Sequence, residues 1–182
     1  MTAFSARAET FTFPGAGFTI DMPDGWHAIS VAEETRIHSD TDLGSDDLNA
    51  SIRAPNPGRL AVVVRDKETR GVNPGIHLNF HPGEILDLDG AIQNVLDNLG
   101  QVSEFQLIDP PVPAQLGPFE TRKMRYRFAV VFGVVKLRAQ EVFWLVPMGD
   151  HYLTISTGAD VNEGPESWAV IEAAAQSLRP VE

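Results

Sequence analysis

Between Lys123 and Phe128 charged and apolar side chains alternate without exception. Lys123, Arg125 and Arg127 interleave with Met124, Tyr126, Phe128 and Val130. A period of two places successive side chains on opposite faces of an extended chain, so this segment is constrained to a strand with one apolar and one charged face. Gly133 separates it from a second strand that contains Val142 to Val146, an apolar run of five residues, a length that no run in the chain exceeds. A two-residue turn at Phe132-Gly133 pairs Val131 with Val134 and Arg127 with Arg138, and leaves Lys136 and Arg138 on the face of Arg125 and Arg127. That register also sets like charges opposite each other, at some cost in stability.

The same hairpin sorts the charge. Of fourteen basic residues in a chain of net charge −11, six fall between positions 122 and 138: Arg122, Lys123, Arg125, Arg127, Lys136 and Arg138. No acidic residue interrupts them, and the rest of the chain carries eight basic against 25 acidic side chains. A cationic patch on an anionic body steers an anionic partner into one orientation before contact forms. The expected partner is an acidic protein surface. Nucleic acid is not expected, because the surface as a whole repels phosphate.

Absence of cysteine among the 182 residues removes disulfides, thiolate nucleophiles and thiolate-ligated metals. No apolar run approaches the ~20 residues of a membrane-spanning helix. Ala6-Arg7-Ala8 has the small-x-small form of a signal-peptidase site, but Met1 to Ser5 cannot hold the apolar core of a secretory signal. As written, the chain is expected in the cytoplasm. If an N-terminal signal was removed, the location is the cell envelope or periplasm.

Residues 1–182 read as one domain. Thr10–Phe13 and Phe18–Met22 form two short strands around Pro14-Gly15-Ala16-Gly17, and Pro23-Asp24-Gly25 turns the chain into Trp26. Between positions 32 and 58 the apolar pattern fades into a long acidic connection with Asp40, Asp42, Asp46 and Asp47, expected to hold one short element at most. Leu60–Val64 and Ile76–Phe80 are strands. A helix runs from a cap at Asp87 or Asp89 to Leu99, with Ile92, Val95, Leu96 and Leu99 on one face and Gly100 as its left-handed terminator. Phe105–Ile108 is a strand closed by Pro110-Pro111, and Tyr152–Ser156 another. The last helix starts at Pro165 and carries Trp168, Ile171, Ala174, Ala175 and Leu178 as its apolar stripe. Strands before, between and after two amphipathic helices predict an α+β fold, with helices on the faces of a central antiparallel sheet.

The segments GFTIDMPDGW (Gly17 to Trp26), the central helix, and YLTISTGAD with ESWAVIEAAAQSLRP (within Tyr152 to Pro180) resemble the PsbP/Mog-type superfamily. This group includes photosystem extrinsic proteins, a Ran-binding nuclear import factor and many bacterial members, lipoproteins and secretion-effector chaperones among them. The resemblance implies an α/β/α sandwich and a non-catalytic binding or assembly role.

Catalytic signatures are missing: there is no G-x-S-x-G, phosphate-binding loop or H-E-x-x-H, and Ile20 stands where a dinucleotide fingerprint needs its third glycine. His77 and His81 share a strand face about 13 Å apart, too far to hold one ion together. A bend at Pro82-Gly83 brings His81 towards Glu84, which makes these two the weak metal candidates, short of the three or four ligands of a zinc site. The aspartates of 40–47 lack the glycine and glutamate of a calcium loop. Trp26, Trp144, Trp168, Phe128 and Tyr152 read as core. No cofactor is expected. The reading is a non-catalytic protein-binding, assembly or chaperone-type module using the basic hairpin face. The alternatives are a small apolar-ligand carrier with its pocket between sheet and helix, and an uncharacterised hydrolase or isomerase.

Overall fold

The computed structural model describes residues 9–54, 56–67 and 71–181; the Ala6-Arg7-Ala8 reading lies outside the described residues. In chain order the elements are β1 (Glu9–Phe13), β2 (Phe18–Met22), β3 (Trp26–Ala28), α1 (Val31–Ser39), β4 (Thr41–Asp42), α2 (Asp46–Arg53), β5 (Arg59–Arg65) and β6 (Gly75–Pro82). There follow α3 (Leu88–Leu99), β7 (Gln106–Leu116), β8 (Phe119–Phe132), β9 (Val135–Pro147), β10 (His151–Asp160), α4 (Pro165–Gln176) and β11 (Arg179–Pro180).

Eight strands form one antiparallel sheet in the order β3-β5-β6-β10-β9-β8-β4, with β7 also on β8. Its two faces carry different cores. On one, Val142, Trp144, Val146, Leu153 and Ile155 meet α4 and a small second sheet, β1-β2-β11, which contributes Phe18, Ile20 and Met22. On the other, Met124, Tyr126, Phe143 and Leu145 meet Ile92 of α3. Residues Val142 to Val146 of β9 are therefore covered on both sides, which is why this stretch is a continuous apolar run. The molecule is the expected α+β sandwich.

Local chemistry explains the element ends. Pro165 opens α4 and Asp87 caps α3 by accepting from the Gly90 N–H. Gly17, at φ 72°, closes the turn between β1 and β2.

Several expectations change. Residues 32–58 hold α1, β4 and α2 rather than one short element. Ser30 caps α1 through the Glu33 N–H, and Asp46 and Asp47 sit in the first turn of α2, where the helix dipole favours anions. Buried Asn49 ties the segment together, accepting from the Leu43 N–H at 2.8 Å and donating to Asp42 at 2.7 Å. Gly100 is right-handed, at φ −59°, so α3 ends without a left-handed residue. Strand β7 continues through Pro110, Pro111 and Pro113; it is an edge strand whose pairing shifts register between Leu107 and Val112, where missing N–H groups cost least.

The β8–β9 turn is at Gly133-Val134, one residue later than expected, with Phe132 opposite Val135. Gly133, at φ 60°, fills the first central position, where a type II′ turn calls for glycine. Moving the turn by one residue moves the pairing by two, so every side chain keeps its predicted face. The predicted opposition of like charges disappears. Arg127 faces Gln140 and Arg138 faces Ala129.

Candidate functional site

The register places Lys123, Arg125 and Arg127 of β8 on one sheet face with Lys136 and Arg138 of β9. Arg122 lies on the opposite face and binds Asp89 of α3 at 2.6 Å, so it does not belong to the same surface. That contact holds the Asp89 carboxyl below its usual range.

The five remaining cations divide in two. Near the middle of the sheet, Lys123 and Arg125 reach Glu172 of α4 at 3.4 and 3.5 Å, Arg125 also meets Asp109 of β7 at 3.5 Å, and the Lys123 ammonium stands 5.3 Å from the centre of the Trp144 ring. Towards the turn, Lys136 and Arg138 share one carboxylate, Glu104, which Arg138 Nε meets at 3.2 Å. The Lys136 bond, ahead of the charge of both cations, lowers the Glu104 pKa. Arg127 donates to Gln140 Oε1 at 2.9 Å, and among the described residues no carboxylate pairs with it.

Around this end of the hairpin lies a recess of about 350 Å³ lined by Glu104, Gln106, Arg127, Phe128, Arg138 and Val161. A second, of about 620 Å³, adjoins Lys136, Arg138 and Asp160. Strand β10 pairs β9 only from Ala139 onward, so Val135 to Leu137 extend beyond it, while on the other side β4 pairs Val131 and Phe132 of β8. Three large apolar residues are exposed there: Phe132 at 43 %, Val135 at 53 % and Val134 at 100 %.

On the opposite face, Tyr126 Oη donates to Glu141 Oε2 at 2.6 Å. Both residues are hemmed in by protein, although Glu141 keeps a little accessible surface. Burial raises the Glu141 pKa against the opposing effect of the tyrosine bond, and raises that of Tyr126 further. Arg59 of β5 joins Glu34 of α1 at 2.6 Å to His77 Nδ1 at 3.2 Å. Enclosure, with the Arg59 charge adding to it, lowers the His77 pKa to about 3. Neither cluster was legible in the sequence, since their members lie 15 to 43 positions apart and no motif links them.

His81 stacks on Tyr152 with ring centres 4.7 Å apart and bonds Thr154 at 3.1 Å. Among the described residues, no three His, Asp or Glu side chains gather as a metal-ligand set. No described helix is long and apolar enough to cross a membrane.

No known family and no curated protein matches the chain in sequence. Solved structures do match in fold. The chain superposes on cyanobacterial PsbP of Synechocystis over 100 % of its own length and 97 % of the other, at TM-score 0.56 and 14 % identity. It superposes on the Ran-binding protein Mog1p of Saccharomyces cerevisiae over 98 % and 97 %, at 0.52 and 10 %. The fold is PsbP/Mog-like. LpqN of Mycobacterium tuberculosis, involved in cell envelope biogenesis, matches over 98 % of this chain and 88 % of its own, at TM-score 0.56 and 14 % identity. The chain spans 49 % of a longer Bacteroides thetaiotaomicron protein, at TM-score 0.54 and 12 % identity over 97 % of its own length.

Proposed function

We propose that this PsbP/Mog-like chain is a non-catalytic protein-docking module, and that the turn end of the β8–β9 hairpin meets an acidic protein surface. One observation carries the reading: Arg127, Lys136 and Arg138 lie on one face where, among the described residues, Glu104 is the one carboxylate paired with any of them, beside exposed Phe132, Val134 and Val135. Charge that the fold leaves uncompensated steers association, and an apolar tip among cations supplies the contact that persists once water is excluded. Lys123 and Arg125 contribute less, because Glu172 already answers them. Arg122 faces α3 and contributes least.

The binding role in the name of Mog1p supports a protein partner, and the net charge of −11 favours acidic protein over nucleic acid, which the rest of the surface repels. The envelope role of LpqN supports the cell envelope as the compartment, against the cytoplasmic expectation; fractionation of the native organism separates the two.

The test is affinity capture from the native organism with the parent chain and with a variant carrying Arg127→Glu, Lys136→Glu and Arg138→Glu. The reading expects an acidic protein retained by the parent and lost by the variant. Equal retention by both overturns it.

A further inference from the structure

We infer that Glu104 occupies, from within the chain, the subsite that a carboxylate of the acidic partner takes. The inference rests on the docking reading and names the chemistry of its centre. Glu104 has φ 54°, the only positive value among the described non-glycine residues. A residue with a Cβ disfavours that region, and such backbone persists where surrounding contacts enforce it. Here the contacts flank the residue: the Ala129 N–H donates to the Ser103 carbonyl at 2.8 Å, the Ser103 N–H to the Leu43 carbonyl at 2.9 Å, and the Phe105 N–H to the Val102 carbonyl at 3.2 Å. This backbone pairing fixes the loop on the edge of β8. The Glu104 carboxylate then reaches across to Lys136 and Arg138, 32 and 34 residues further along the chain.

The carboxylate sits in the wall of the recess that Arg127 and Arg138 also line. Two cations and one anion line it, which leaves the recess short of negative charge. The guanidinium of Arg127, engaged among the described residues only by the Gln140 amide, has donors to offer, and a guanidinium pairs with a carboxylate more strongly than with a neutral acceptor. A glutamate or aspartate side chain on a partner segment enters between Arg127 and Arg138 and displaces Glu104. The internal carboxylate therefore competes with the ligand and lowers its apparent affinity by the fraction of time it holds the site.

The test uses the whole chain and a fluorescent hexaglutamate peptide, followed by anisotropy. Glu104→Gln should bind about tenfold more tightly than the parent. Glu120→Gln, an equal change of net charge at an exposed position on the strand that carries Arg127, should stay within about twofold. Adding Arg127→Ala to Glu104→Gln should remove the gain. Glu104→Gly, which also relieves the left-handed backbone, repeats the release by a second route and guards against a folding defect in the first variant. Equal affinity of parent and both Glu104 variants for a peptide that still binds in a salt-sensitive manner overturns the inference and leaves the docking reading standing. No binding by parent or variants overturns the inference as well, while the docking reading is judged by its capture experiment. A thymidine oligonucleotide of matched charge binding more tightly than the peptide overturns the choice of an acidic protein segment.

Discussion

Tyr126 and Glu141 stand directly opposite on β8 and β9, joined by a 2.6 Å hydrogen bond from the phenol to the carboxylate in the interior of the sandwich. Because burial raises the folded pKa of Glu141, the folded state holds its proton to higher pH than the unfolded chain does. The contribution of this residue to stability is full below its unfolded value and is lost as pH rises through the folded value. Glu141→Gln keeps an acceptor for the phenol and removes the charge. Relative to the parent it should therefore gain stability as pH rises from about 5 to 8, read as an increasing difference in thermal midpoint. A difference independent of pH contradicts this.

His77 acts with the opposite sign. Its folded pKa, about 3, lies below the ordinary histidine value of 6.5, so the unfolded chain takes up a proton first as the solution is acidified. Stability from this residue is complete above the unfolded value and declines as pH falls towards the folded one, by on the order of 1 kcal/mol per pH unit. Replacing His77 by Gln should flatten the profile of unfolding free energy between about pH 6 and 4. An unchanged slope there places the acid sensitivity elsewhere.

Two glycines with positive φ should respond differently to alanine. Gly133, at φ 60° in the hairpin turn, has no atom within 4 Å of the position a Cβ would take, so Gly133→Ala meets only the backbone penalty of about 1–2 kcal/mol. Gly117, at φ 56°, would place that Cβ 1.9 Å from the Leu178 carbonyl oxygen, where the β7–β8 turn meets the end of α4. Gly117→Ala should cost clearly more, seen in denaturant midpoints. Equal costs contradict the close approach.

In α4, Ile171 is fully enclosed and Trp168 only partly so. Ile171→Ala should therefore lower the unfolding free energy by about 2–5 kcal/mol, and Trp168→Ala by less than the upper end of its usual range of about 3–5 kcal/mol. The reverse order places the helix in a different rotation.

The alternation from Lys123 to Phe128 and the stripe of α4 were legible because the apolar side of each element is turned to the core. Helices α1 and α2 were not, since their amphipathic pattern is short and polar and their order comes from Ser30, Asn49 and contacts distant in sequence. The run of β7 through three prolines follows from its edge position, which only the assembled sheet defines. The cations of the hairpin were visible as a cluster, but their division was not. Glu172, Asp109, Asp89 and Glu104 reach them from four separate parts of the chain.

The most direct measurement of the docking claim is the association rate of the captured partner with the parent and with Arg127→Glu/Arg138→Glu, followed across ionic strength. Exposed charges act over a Debye length of about 8–10 Å, so reversal should slow association, raising salt should slow the parent towards the variant, and dissociation should change far less. Thermal stability should stay within about 0.5 kcal/mol of the parent, since both side chains are at the surface. An association rate insensitive to salt and to both reversals contradicts the account.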